Sequence, residues 1–264
     1  MYDWLKFEKN GSVVTLTMNR PDIRNPLGEP EDVINFEEAS KLINNDRDVR
    51  CVILTGAGKA FSAGGNVKNM QNKSGNFSGS SVGLRDRYKK GIHKIIKAIW
   101  NIEVPVIAAI NGPAVGAGFD LACMCDFRIM SNNAFLAESF INLGIIPGDE
   151  GAFFLQRLIG YQKAAELTLT GRKVSASEAL ELGLVLKKVD PNQLIQEAKK
   201  FANEIAKKPK NTIRYTKRLL KMGAILPLKE FLDFCALLQG VSHNHKEHKN
   251  ALKNVKRKNR LIIS

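Results

Sequence analysis

Two glycine-rich turns, each placed just after an apolar run, carry the chemistry most directly readable in this sequence. The first is Val52-Ile53-Leu54-Thr55-Gly56 leading into Phe61-Ser62-Ala63-Gly64-Gly65-Asn66. The second is Val106-Ile107-Ala108-Ala109-Ile110-Asn111-Gly112 leading into Gly116-Ala117-Gly118-Phe119-Asp120. Glycine lets the chain turn sharply, and a turn leaves backbone N–H groups outside any strand or helix ladder. Two such turns from distant parts of the chain can aim two donors at one oxygen. That arrangement is an oxyanion hole, suited to a thioester carbonyl that becomes an enolate.

The other reactive residue types form no comparable pattern. Cys51 lies in an apolar run, and Cys123 and Cys125 are one residue apart, which is neither a redox CxxC nor a zinc spacing. With Cys235 they read as free thiols. His93, His243, His245 and His248 all lie outside the glycine turns. His245 and His248 are three positions apart without a third ligand, so no metal is expected.

The elements that must hold the two turns follow from periodicity. Residues 12–18 read as a strand rich in β-branched residues, closed by Asn19-Arg20-Pro21. Residues 49–55 and 104–110 are continuous apolar runs, which suits strands buried on both faces. Helical spacing recurs over 31–44, 84–101, 151–158, 161–170, 175–182 and 191–207. Short strands are expected at 126–130, 134–137 and 184–189, and the polar stretch 66–81 reads as a loop or frayed helix start. Beyond about residue 200 only helices are expected, over 211–222 and 228–254. Their apolar positions need a partner surface on the body or on another subunit. The strand-turn-helix pattern near 50–70 recurs near 104–125, which suggests an α/β superhelix of β-β-α units.

Bulk properties bound the reading. The chain has 264 residues, 44% of them hydrophobic and 25% charged, as in an ordinary globular protein. No apolar stretch reaches the roughly 18 residues of a membrane span, and Met1-Tyr2-Asp3-Trp4 does not begin a secretory signal. Leu261-Ile262-Ile263-Ser264 matches no peroxisomal or retention tripeptide, so a cytoplasmic protein is expected. The net charge of +14, much of it between Lys246 and Arg260, fits a field that attracts a polyanionic coenzyme ester. Zinc-finger spacing and an aromatic RNA-binding signature are both missing from that stretch, so nucleic acid is not the expected partner.

Five segments carry a family resemblance: LTGAGKAFSAGGN (54–66), PVIAAINGPAVGAGFDLACMCDFRI (105–129), ESFINLGIIPGDEGAFFLQRLIG (138–160), LTGRKVSASEALELGLV (169–185) and RYTKRLL (214–220). Together they resemble the crotonase superfamily, the enoyl-CoA hydratase and isomerase group, over almost the whole chain. The resemblance implies the crotonase (ClpP-like) superhelix as a core over 1–200, with a C-terminal helical trimerisation region over 201–264. It implies an acyl-CoA thioester as substrate, no cofactor beyond that coenzyme A, and a homotrimer or hexamer. Carried over by position, the oxyanion hole is the N–H of Ala63 and the N–H of Ala117, with alanine standing at 117 where the family usually has glycine. Gly64, Gly65, Asn66 and Val67 would lie along the coenzyme, with Gly116 beside the acyl group. Asn66 replaces a frequent aspartate and can shape the same turn. Arg24 and Lys68 would meet phosphates, and Lys256 or Lys258 of a neighbouring subunit the ribose phosphate. The plainer reading of each lysine is solvated surface.

The resemblance also exposes a departure. The hydratases use two glutamates, whose places here are taken by Asp120 and Phe140. Phenylalanine carries no transferable proton, so two-glutamate hydration is not expected. Asp120 matches the dienoyl-CoA isomerase branch, and Asp149 is offset by one residue from another acidic position of that branch. Glu138, two residues before Phe140, shares its face if the segment is extended. Asp149 and Glu150 can alternatively cap the next helix, Asp120 can be a surface or ion-paired residue, and Glu138 can be an ion-pair residue. His93 follows the polar loop, where some relatives place a catalytic group. Phe119, Phe140, Phe153 and Phe154 are expected to make the pocket aromatic. The leading expectation is an enolate-forming acyl-CoA enzyme using Asp120 and Asp149, with Glu138 near them. The alternatives are a catalytically degenerate acyl-CoA- or RNA-binding protein, or a β-dicarbonyl hydrolase, of the same fold.

Overall fold

The structure, a computed structural model, describes the backbone of residues 4–263 and the side chains of residues 4–255. Among the described residues nine strands and nine α-helices build the body, and three further α-helices follow. In order these are β1 (Leu5–Asn10), β2 (Val13–Met18), α1 (Pro30–Asn45), β3 (Cys51–Gly56), α2 (Val67–Gln71), α3 (Ser81–Lys90), α4 (Ile92–Trp100), β4 (Val106–Ile110), β5 (Ala114–Val115) and α5 (Ala117–Met124). They continue with β6 (Phe127–Ser131), β7 (Phe135–Ala137), α6 (Gly151–Ile159), α7 (Tyr161–Thr170), β8 (Lys173–Ser175), α8 (Ala176–Glu181), β9 (Lys187–Val189) and α9 (Leu194–Ala206). The last three are α10 (Lys210–Gly223), α11 (Leu228–Asn244) and α12 (Lys246–Ile263).

The main sheet has the order β1-β2-β3-β4-β6-β9 and is parallel except for the β1–β2 hairpin. Burial on both faces explains the unbroken apolar runs of β3 and β4. Val52, Leu54 and Ala108 pack with Phe36, Ile95 and Phe119 on one face. Cys51, Ile53 and Ile107 pack with Leu194, Ala198 and Ala202 of α9 on the other.

A second stack runs beside the main sheet and makes the superhelix visible. Pro26 bridges Gly64, Ser62 bridges Ala114, and β5 pairs with β7, each in parallel. Each turn of the chain thus lays a short extended segment on the one before. The two glycine turns sit on adjacent levels because of this stacking. Gly118 secures the contact: a Cβ there would lie 2.4 Å from the Ser62 carbonyl.

The helical expectations hold with two breaks. The helix expected over 84–101 divides at Gly91, where a Cβ would lie 2.7 Å from the Arg87 carbonyl oxygen. The helix expected over 228–254 divides at His245, which is extended (φ −77°, ψ 147°). Position 200 falls inside α9, which packs on the sheet through Leu194, Ala198 and Ala202. The packed body continues into α10, whose Arg214 and Lys217 are buried. Helix α11 buries no residue, and Leu228, Leu232, Leu237 and Val241 are exposed along it. Among the described residues no helix is long and apolar enough to cross a membrane.

Candidate active site

The first glycine turn is pinned before it can bind anything. Phe61 and Ser62 donate their N–H groups to the Pro113 carbonyl, and Val115 donates to Ser62. The Ala63 N–H donates to the Arg24 carbonyl at 2.9 Å. Ala63 is therefore not the free donor expected from the resemblance. Arg24 takes a left-handed conformation (φ 62°) at the end of a short 3-10 turn, and the carbonyl of this residue holds the loop.

Gly64 donates its N–H to Ser62 Oγ and its carbonyl accepts the Leu27 N–H, so Gly65 is the first residue of the turn left to face a ligand. Gly64 (φ +78°) leaves the space that matters: a Cβ there would lie 2.4 Å from the Val115 carbonyl and 3.2 Å from the Ala117 nitrogen. Ala117 opens α5, so its N–H has no intrahelical acceptor. Among the described residues no acceptor meets the N–H of Gly65 or of Ala117, and both residues line one cavity of about 50 Å³. Gly116 (φ +50°) turns the chain into α5, and the Phe140 ring packs 3.4 Å from where its Cβ would be.

Asn66 shapes the turn as expected, its side-chain oxygen accepting the Asn69 N–H at 3.3 Å at the start of α2. Val67, Lys68 and Arg24 are exposed at this rim. Lys256 and Lys258 lie outside the residues whose side chains are described.

Four carboxyl groups converge behind the cavity. Asp120 comes from the first turn of α5, Glu138 follows β7, and Asp149 and Glu150 precede α6. Asp120 and Glu138 are each 1% exposed and Asp149 is 6% exposed. They meet at Gly151, where a Cβ would lie 2.2 Å from Glu138 Oε1 and 2.4 Å from Asp120 Oδ1. No N–H or hydroxyl donor reaches either carboxyl group among the described residues. What Asp120 and Glu138 face is each other, so one proton held between them is the hydrogen bond this pair can make.

Burial makes ionisation costly throughout the cluster. It pushes Asp120 well above the ordinary carboxylate range, and the charge of Glu138 adds to the rise. Burial raises Glu138 to about 7 and Glu150 to about 9, the latter with help from Asp149. Asp149 rises less, to about 6, because His93 offsets part of the effect. His93 is itself placed by an Nε2 contact of 2.9 Å to the Gly148 carbonyl, with its ring edge-on to Tyr88.

Several expectations are corrected here. Neither Asp149 nor Glu150 caps α6 with its side chain; the Glu150 carbonyl instead receives the Phe153 and Phe154 N–H groups. Asp120 is neither exposed nor ion-paired. Glu138 does not share a strand face with Phe140, because β7 ends at Ala137 and a 3-10 turn begins at Ser139. Glu138 faces Asp120, while Phe140 lines the cavity.

The aromatic lining is also different. Phe119 is in the core, Phe153 is 42% exposed, and Phe154 packs on Trp100. The aromatic walls beside Phe140 are Phe77 and Tyr88, and Met70 and Arg87 join them. All four come from the 66–90 stretch, whose polar surroundings concealed them. Beside the cavity Asp120 and Asp149 pack with Ala117, Leu27 and Ile92 around a gap too tight for a water molecule. The arrangement thus brings two carboxyl groups and an unpaired N–H to one apolar region.

Comparisons with known proteins agree with this architecture. Residues 8–260 match the family described as enoyl-CoA hydratase/isomerase. The chain is 34% identical over 246 residues to the short-chain-enoyl-CoA hydratase of Clostridium acetobutylicum, covering 93% of this chain and 91% of that one. It is 36% identical over 223 residues to the crotonyl-CoA hydratase of Syntrophomonas wolfei, covering 84% and 83%. The crystal structure of an enoyl-CoA hydratase from Bacillus anthracis superposes with a TM-score of 0.89 at 33% identity, over 97% of each chain.

Proposed function

The chain belongs to the enoyl-CoA hydratase/isomerase family and is an acyl-CoA-processing enzyme, and on that premise we propose that it forms a thioester enolate between two main-chain donors and transfers protons with carboxyl groups in unlike environments. The observation that carries this reading is that Asp149 and Ala117 line the same cavity, with Asp120 packed directly beside them. The Gly65 and Ala117 N–H groups hold the thioester oxygen. One such donor typically supplies about 3 kcal/mol of transition-state stabilisation.

Environment divides the acids into roles. Asp149, helped by His93, is the group most ready to ionise and acts as the base. Asp120 shares a proton with Glu138 and acts as the acid. With a 3-enoyl thioester, the Asp149 carboxylate takes an α proton and the carbonyl becomes the enolate oxygen. The Asp120–Glu138 pair then returns a proton to the γ carbon, and the double bond moves into conjugation. Asp149 leaves protonated and the pair leaves deprotonated, and exchange with solvent resets both.

The hydratase names of the relatives favour a second reading. In it Asp149 takes a proton from water, the hydroxide adds to the β carbon, and Asp120 protonates the α carbon.

The coenzyme lies along Gly64, Gly65, Asn66 and Val67, with Arg24 and Lys68 at the rim for its phosphates. The chain assembles as a homotrimer or hexamer through α11, along which Leu228, Leu232, Leu237 and Val241 are exposed. No cofactor beyond the coenzyme A of the substrate is part of this reading.

The test is incubation with crotonyl-CoA and a 3-enoyl-CoA in deuterated water, read by mass spectrometry. Deuterium incorporation without added water, lost in Asp149→Asn and Asp120→Asn, is the expected result. A mass gain of water selects the second reading. Exchange that is unchanged in both variants would overturn the assignment of the two acids.

A further inference from the structure

Arg87 stands in the wall of the cavity without an anion to balance it. It lies on α3 and lines the cavity with Phe77, Met70 and Phe140. The guanidinium is partly buried and donates to the Ser78 carbonyl. Among the described residues no carboxylate is within ion-pair distance of it, and its acidic neighbour Asp86 is turned to Arg85.

The space around the head group is kept open by glycine. The Arg87 Nη1 atom is 3.3 Å from where a Cβ on Gly79 would be and 3.8 Å from the corresponding point on Gly83. Both glycines flank the start of α3, so the local helix field adds to the positive charge rather than offsetting it. Asp149, the acid in the same cavity wall, answers to His93 and not to Arg87. A guanidinium has five N–H donors in a planar fork, and one neutral carbonyl uses few of them. Drawing such a group out of water into an apolar wall is costly unless an anion meets it.

We propose that the acyl pocket receives an acyl group bearing a second, free carboxylate, which Arg87 binds. This rests on the acyl-CoA reading above and narrows its substrate class to dicarboxylic monothioesters. Phe77, Met70 and Phe140 would enclose the carbon chain, and Arg87 would pair with its far end through two parallel hydrogen bonds. A methyl-ended chain filling the same space leaves the guanidinium desolvated and unpaired, which is a penalty against that competitor.

The experiment is calorimetric titration of the full chain with matched pairs of non-reacting esters: butyryl- against succinyl-CoA, valeryl- against glutaryl-CoA, and hexanoyl- against adipyl-CoA. At one chain length the carboxylate-ended ester binds at least tenfold tighter than its methyl-ended partner. Arg87→Gln brings those two affinities together, and Arg87→Lys, which keeps the charge and loses the fork, leaves an intermediate ratio. Binding of the methyl-ended esters with no carboxylate preference at any length overturns this proposal alone. A fall in free-CoA affinity in Arg87→Gln as large as the fall for the carboxylate-ended ester also overturns it, because the cation then serves the coenzyme phosphates. Failure of every CoA ester to bind overturns the acyl-CoA reading with it.

Discussion

Two groups of buried ionisable side chains in the interior are treated in opposite ways. Along α10, Arg214 pairs with Glu103 at 2.6 Å and donates to the carbonyls of Asp46, Ile43 and Val49. Three residues on, Lys217 pairs with Asp126 at 2.6 Å and donates to the Val104 carbonyl at 2.7 Å. These cations fasten α10 to the body. Around Gly151, by contrast, Asp120, Glu138 and Asp149 are just as deeply buried, yet the Asp120 and Glu138 oxygens meet no N–H or hydroxyl donor. A buried cation met by a carboxylate and main-chain carbonyls contributes to shape. A buried acid left without donors keeps its proton in play, and that is what proton transfer to carbon requires.

The sharpest way to break this contrast is to remove the acid closest to ionising. Asp149→Asn is expected to lower the rate of α-proton exchange by about 10² to 10⁴-fold, measured in deuterated water, with butyryl-CoA still bound. Exchange within a factor of a few of wild type would place the base elsewhere. On the other side of the comparison, Lys217→Met leaves the half-buried Asp126 without its cation and the Val104 carbonyl without its donor. That should cost about 1–3 kcal/mol of stability, read by urea unfolding, without moving the pH profile of exchange.

The pH profile sharpens the division within the acid group. Asp149 must be ionised to act as base, so activity rises with pH through about 6. The Asp120–Glu138 pair must hold a proton, and burial with the charge of Glu138 holds that of Asp120 well above the ordinary carboxylate range, so activity persists beyond the rise. A profile without a rise near pH 6 would contradict the role of Asp149.

Glu138 also makes a stability prediction with a definite sign. Its folded value of about 7 lies above its ordinary value of 4.5, so folding favours the protonated form. That contribution is complete below about 4.5 and is lost as pH rises through about 7. Glu138→Gln cannot ionise and should therefore be more stable than wild type at pH 8, by on the order of 1–3 kcal/mol, with little difference at pH 4.5. Thermal unfolding at the two pH values decides it. The smallest expected effect is at the rim: Asn66→Ala removes the cap of α2 and should cost about 1 kcal/mol, measured the same way.

Much of this fold was legible because its central strands are buried on both faces. Val52–Leu54 and Val106–Ile110 read as unbroken apolar runs, and the glycines that follow mark the turns. Strand β1 was not foreseen, although Asn10-Gly11 is a hairpin signal, because Lys6, Glu8 and Lys9 mask its alternation. At the site, the acids Asp120 and Asp149 and the donor Ala117 were named through the family resemblance of the segments that hold them. The engagement of Ala63 could not, since it depends on Arg24 adopting a positive φ some forty positions earlier in the chain and presenting its carbonyl. The convergence of Glu138 on Asp120 depends on Gly151, a residue that contributes only its lack of a side chain. Tyr88, Phe77 and Arg87 were hidden because a helix with polar neighbours gives no sign of which face a cavity will claim.

The two unpaired N–H groups at the cavity belong to the main chain, and this bears on how the protein can change over generations. Every amino acid but one supplies the same donor at those positions. A codon change at 65 or 117 therefore alters the space around the carbonyl while preserving the donor, unless it introduces proline. The carboxyl groups have no such protection, since a single exchange removes each of them. Lineages descended from this chain are thus free to move their acids, while the two main-chain donors are inherited almost regardless of sequence.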